Sequence, residues 1–236
     1  MIIERPATER GRVQAGWLDS RHTFSFGHYH DPQWMGFGAL RVINEDRVAP
    51  GAGFPLHGHA NMEILSYVLS GALAHRDSHG GEGVLRPGEL QGMSAGHGIE
   101  HSEYNASDTE PVHFLQIWIQ PDRVNAVPAW DQHAFDPDAR RGDWIMLASP
   151  DGADGSLAIR QQAWLRGARP GAGERVEAAL DPGRRYWLHV AQGAVEADGR
   201  RLQAGDALGF VGETGELDVR GVAGVHADLL LFDLPL

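Results

Sequence analysis

Short segments that alternate apolar and polar residues recur along this 236-residue chain at a spacing of roughly eight to twelve residues, with Gly or Pro between them. Side chains on a strand repeat every two residues, so the pattern gives each short segment one apolar face and disfavours long helices. GFGALRVINEDRVAP ends in a Pro-Gly turn, MEILSYVLSGALAHRDS breaks at Ser70-Gly71, and GVLRPGELQGMSAG turns at Pro87-Gly88 before the apolar strand VHFLQIWIQP. The 31 Gly and 13 Pro are scattered rather than clustered, as many tight turns require. An all-β sandwich or barrel is expected.

Residues 121–143 break the rhythm, with Pro128, Pro137 and many polar residues, and read as a connector with one short helix. The expected division is an N-terminal domain over 1–125, a connector over 126–143 and a C-terminal domain over 144–236. The halves resemble each other: YVLSGAL then LRPGELQGM in the first matches HVAQGAV then LQAGDALGF in the second.

Two stretches carry ligand-type residues one position apart. GAGFPLHGHANMEILSYVLSG supplies His57 and His59, and AGHGIEHSEYN supplies His101 and Glu103. Residues i and i+2 project from one strand face, so two neighbouring strands would aim three imidazoles and a carboxylate at one point. Such a set without thiolate suits an open, oxygen-handling divalent metal better than a structural zinc. Gly193 corresponds to Gly71, and the same fourteen-residue step back that leads from Gly71 to His57 lands on Ala179, so one metal per chain is expected, in the first half. His22, His28 and His30 read as structural, with one or two of them open to lining a pocket mouth; Glu100 faces away from Glu103, and His97 and His113 read as pocket lining or surface.

Composition removes several function classes. The net charge of −12, with no basic block, gives nucleic-acid binding no support. All 20 basic residues are arginine. With no cysteine there is no disulfide, thiolate site or catalytic thiol. MIIERPATERG does not have the form of a signal peptide, and no apolar run approaches a membrane span, so a soluble cytoplasmic protein is the default expectation.

Gly51, five residues, His-x-His, three residues, Glu63, and later Gly88, SAG, His101 and Asn105, resemble the two cupin motifs. Ser94 stands where Pro is common, and extra residues precede His101. WLDSRHTFSFGHYHDP, HGHANMEILSYVLSG, AHRDSHG and MSAGHGIEHSEYN together resemble pirin and its bacterial relatives, and LDPGRRYWLHVAQGAV, QAGDAL and LLLFDLP resemble that family's second domain. Gly58 replaces the usual Pro between the paired histidines.

The resemblance implies two tandem cupin-like barrels of double-stranded β-helix (jelly-roll) form, with metal in the N-terminal one alone, held by His57, His59, His101 and Glu103. Glu63 stays open between ligand and a carboxylate that hydrogen-bonds a ligand histidine. Iron(II) is the metal the resemblance favours, while the donor set also admits manganese, cobalt, nickel, copper and zinc. The implied activity is that of a quercetin 2,3-dioxygenase, a small planar flavonol and O2 being the partners, with carbon monoxide released and Glu103 as base for the 3-hydroxyl. The resemblance also implies two alternatives: a redox-dependent regulator that binds a partner protein, and a cupin oxygenase for another substrate.

Overall fold

The structure, a computed structural model, describes residues 1–224 and 226–236. Among these there is no α-helix, only strands and two short 3₁₀ turns, Ala7–Glu9 and Ala153–Gly155. Among the described residues no helix is long and apolar enough to cross a membrane. The chain divides into two compact units: residues 11–134 with 157–161, and residues 1–10 with 135–156 and 162–236.

The first unit is built from two sheets. A seven-stranded sheet runs in the order Ala129–Ala134, Glu89–Ser94, Glu63–Ser70, Val112–Ile119, Leu40–Val48, Leu18–His22, Gly11–Gln14. A four-stranded sheet runs Gly53–His59, Ile99–Asn105, Leu73–Asp77, Glu82–Leu85. Neighbouring strands pair antiparallel throughout both sheets. Central strands such as Glu63–Ser70 are buried along nearly their whole length, so the polar Glu63 and Ser66 in EILSYVLS are buried with the apolar residues around them.

Register stratifies the interior. Ile64, Ser66 and Val68 pair with Trp118, Gln116 and Phe114, while Asn44 and Asp46 lie opposite Gln116 and Phe114. One apolar cluster holds Val48, Val68, Leu73, Leu85, Val112 and Phe114. A second holds Ile64, Met93, Ala95 and Ile99, with Trp118 and Trp130 packed on it. The polar positions Ser66 and Gln116 fall between these clusters. Each fully buried large apolar side chain contributes about 1.5–3 kcal/mol, so the two clusters hold the barrel while the layer between them is free for chemistry.

The second unit repeats the order. Its larger sheet includes Ile2–Arg5, Ala207–Val211, Arg184–Gln192, Asp228–Pro235, Trp164–Ala168 and Ile145–Ser149, and its smaller one runs Arg175–Leu180, Gly215–Gly221, Ala194–Ala197, Arg200–Gln203. The turn glycines of the internal repeat match in backbone: Gly71 and Gly193 have φ of 78° and 76°, and Gly88 and Gly205 of 91° and 89°. A Cβ at Gly71 would meet the Pro111 carbonyl at 2.6 Å, so this left-handed turn also lacks space for a side chain.

The units depart from the linear division 1–125, 126–143, 144–236. Ile2–Arg5 pairs with Ala207–Val211 and so belongs with the C-terminal half. The connector holds no helix: Ala129–Ala134 is an edge strand on Glu89–Ser94, and its polar residues are those of an edge with one wet face. Residues 157–161 fold with the N-terminal unit, where the Arg160 N–H donates to Glu63 and the Gln161 amide to the Gln120 carbonyl.

Candidate metal centre

The two segments that carry the candidate ligands are adjacent strands, with His57 directly opposite His101. On Ile99–Asn105 burial alternates strictly, so Ile99, His101, Glu103 and Asn105 point inward. The partner strand carries an irregularity opposite His101–Glu103, where Pro55 and Leu56 face Ser102. Pro55 has no N–H to give a ladder and is tolerated at such a bulge on an edge strand. Its carbonyl accepts the His57 Nδ1–H at 2.8 Å. A carbonyl only accepts, so Nδ1 carries the proton and Nε2 the lone pair, as a metal-ligating imidazole requires.

The three imidazoles meet. Ring centroids of His57–His59, His57–His101 and His59–His101 lie 4.8, 4.5 and 4.9 Å apart, and one nitrogen from each falls within 4.8 Å of the others. Burial, then the neighbouring His57, pushes His59 down to about 4, and burial with His57, His59 and His75 nearby pushes His101 down to about 2. Both are therefore neutral near pH 7, with lone pairs available. His101 is 1% exposed and neither ring nitrogen has a hydrogen-bond partner. A buried imidazole without a partner costs about 1–3 kcal/mol, a penalty that coordination by a metal removes. Residues and group fit.

Glu103, equally buried, groups with His101 and with His75 within 4.8 Å. Its Oε1 accepts from Ser66 Oγ at 2.8 Å and its Oε2 from Gln116 Nε2 at 2.6 Å. Burial pushes its carboxyl above the ordinary range, against the pull of these hydrogen bonds. The signal for Ser66 and Gln116 was their isolation as polar residues at inward positions of EILSYVLS and VHFLQIWI.

Glu63 lies elsewhere. Its carboxylate accepts from Ser94 Oγ and, at 3.2 Å, from the Arg160 N–H. Burial raises its pKa against those bonds. The strand alternation that would have placed it on the ligand face is reset at the turn 60–62, where Asn61 has a φ of 52°.

Of the remaining histidines, His22 is buried with its ring 5.4 Å from Phe26, and Phe26 in turn meets Trp118 edge-on at 5.2 Å. Trp118 stands 4.9 Å from the His59 ring. An aromatic wall thus begins beside the imidazoles. A cleft of about 540 Å³ is lined by Gly58, His59, Ser78 and Glu100. His97 is exposed, its ring 6.2 Å from His79, and His113 pairs with Glu45 at 2.9 Å. The second unit has a cleft of similar size, about 550 Å³, but its lining contains no imidazole. Both groups of three or more metal-type side chains found among the described residues belong to the first unit.

The Pirin family model matches residues 5–119, and a model described as the quercetinase C-terminal cupin domain matches 146–234. A protein of Escherichia coli (strain K12) named quercetin 2,3-dioxygenase is 44% identical over 239 residues, covering 100% of this chain and 99% of that one. A pirin-like protein of Caulobacter vibrioides is 43% identical, covering 90% and 92%. The crystal structure of the bacterial pirin YhhW from Escherichia coli in complex with nickel(II) superimposes with a TM-score of 0.92 at 43% identity, covering 100% and 99%.

Proposed function

This chain belongs to the pirin family, and from that premise we propose that it is a metal-dependent dioxygenase that opens the central ring of a flavonol such as quercetin with O2 and releases carbon monoxide. The observation that carries the reading is the convergence of three imidazoles, two of them held neutral, on a point beside a buried, hydrogen-bonded carboxylate. His57, His59, His101 and Glu103 would hold the metal, and iron(II) is the metal we propose. The relative crystallised with nickel(II) has the same fold, and imidazole with carboxylate accepts either ion. A bound d-block ion supplies Lewis acidity toward the flavonol oxygen and a site where oxygen can react.

The chain's own residues do the rest. Glu103 takes the 3-hydroxyl proton of the flavonol onto a carboxylate oxygen, a role to which its raised proton affinity is suited. Ser66 and Gln116 fix that carboxylate at two points, so that it receives the proton without swinging away. Phe26 and Trp118, edge to face beside His59, offer a wall against which a planar ring can lie. The apolar clusters on either side of the polar layer keep bulk water from the reacting carbons.

Elemental analysis of the purified protein, followed by flavonol assays with and without O2 on one sample, tests the reading. Oxygen-dependent carbon monoxide release is expected, with Glu103→Ala reducing it by about 10²–10⁴-fold even where metal is partly retained. Unimpaired carbon monoxide release by that variant would overturn the role of Glu103. A metal-loaded protein that turns over no flavonol would overturn the substrate.

A further inference from the structure

Beside His101 and Glu103 lies a fourth imidazole, His75, whose side chain is wholly buried. It is the cross-strand neighbour of Glu103, and its ring centroid stands 5.3 Å from that of His101, scarcely farther than the three clustered rings are from one another. A His75 nitrogen, a His101 nitrogen and a Glu103 oxygen fall within 4.8 Å. On distance alone His75 is a candidate fifth ligand.

Its hydrogen bonds say otherwise. Nε2 meets Asp77 Oδ2 at 3.1 Å, and Nδ1 meets Gln91 Nε2 at 3.3 Å. Asp77 is itself fixed, its Oδ1 accepting the His79 N–H at 2.7 Å and the Gly81 N–H at 3.0 Å. A carboxylate accepts, so the His75 proton sits on Nε2 and the lone pair on Nδ1, where the Gln91 amide answers it. The Trp130 ring stacks on His75 at 5.7 Å and 12° and pins its plane. His101, by contrast, has no partner on either nitrogen. The cluster thus contains one imidazole left open and one fastened shut.

We infer that Asp77, Gln91 and Trp130 form a lock that holds His75 out of the coordination sphere, limiting the protein to four donors so that positions stay open for substrate and oxygen. The inference rests on the ligand set proposed above. Gln91 is its weak point, a single long contact from a buried amide whose own oxygen has no partner. Gln91→Leu removes the donor at similar volume and leaves the Nδ1 lone pair unanswered and free to take a cation.

The test counts ligands. Copper(II)-loaded wild type, Gln91→Leu and Gln91→Leu/His75→Phe would be compared by pulsed electron paramagnetic resonance, which counts coordinated imidazoles, and by chelator competition. The wild type is expected to show three imidazoles, Gln91→Leu four, and the double variant three. Removing an outer partner of a metal ligand ordinarily costs about 10–100-fold in affinity; here Gln91→Leu should instead bind about tenfold or more tightly, and adding His75→Phe should reverse the gain. Gln91→Met, which likewise lacks a donor for Nδ1, serves as a second route to the same release if Gln91→Leu fails to fold. Three imidazoles in the wild type and three in Gln91→Leu, with weakened binding, would overturn the lock while sparing the ligand set. Fewer than three in the wild type would overturn the ligand set, and four would show that His75 is never held away. All of these readings are independent of flavonol turnover.

Discussion

Asp46 offers a quantitative test of the polar layer. It lies on Leu40–Val48, 4% exposed, and accepts a hydrogen bond from Ser20 Oγ. Burial pushes its carboxyl from 3.8 up to about 7, the Ser20 hydrogen bond opposing and repulsion from Glu103 and Glu45 adding to the rise. Between these two values the folded chain keeps a proton that the unfolded chain has released. Stability therefore falls as pH rises through that window, and above about 7 the whole cost of burying the charge remains. A rise of roughly three units at about 1.4 kcal/mol each gives a penalty on the order of 4 kcal/mol. Asn at this position keeps an acceptor for Ser20 and carries no charge. Asp46→Asn should thus match the wild type below about pH 4 and gain stability progressively up to about pH 7–8. Urea midpoints of chelator-stripped protein across that range provide the assay, metal being removed because a bound cation would change the local field. A variant whose advantage stays constant with pH, or grows toward acid, would refute the burial of an ionisable Asp46.

Other consequences separate the roles of neighbouring residues. Glu63→Gln retains an acceptor for Ser94 and Arg160 and should leave metal stoichiometry by elemental analysis unchanged, whereas a ligand carboxylate could not be spared. Gly81→Ala would place a Cβ 2.1 Å from Asp77 Oδ2 and 2.8 Å from Trp130 Cγ, so it should cost about 1–3 kcal/mol by thermal melting and disturb the metal spectrum through His75. A Gly81→Ala protein with unaltered melting and spectrum would show that the Asp77–Trp130 packing is not needed.

What the sequence reveals follows from the range of the interactions involved. That His57 and His59, and His101 and Glu103, share strands that lie side by side could be read because a two-residue period places each pair on one face, and the turn glycines Gly71 and Gly193 could be matched because left-handed turns leave a local mark. Glu63 could not be placed, since one turn at 60–62 decides which way every later residue faces. The pairing of Ile2–Arg5 with Ala207–Val211 has no local trace, and the mixed polarity of Ala129–Ala134 looks like a connector until its edge position is known. His75 stood in a recognised motif, AHRDSHG, yet its state is set by Gln91 and Trp130 from two other strands.

The second barrel shows how little separates a reactive interior from an inert one. Its strands Arg175–Leu180 and Gly215–Gly221 occupy the places that Gly53–His59 and Ile99–Asn105 take in the first. Where the first sets His57 against His101, the second sets Ala178 against Leu217 and Val176 against Val219, all four buried in one apolar cluster. The same pairs of strands therefore close a dry core in one barrel and a polar layer in the other. The dry core draws stability from every inward position, whereas the polar layer includes Asp46 and Glu103, carboxyls that resist burial, and His101, whose nitrogens lack partners. A fold gains nothing in stability from such a layer. The first barrel carries this cost on the strands where the second carries Ala, Leu and Val, which is what the proposed metal-dependent chemistry of the first requires.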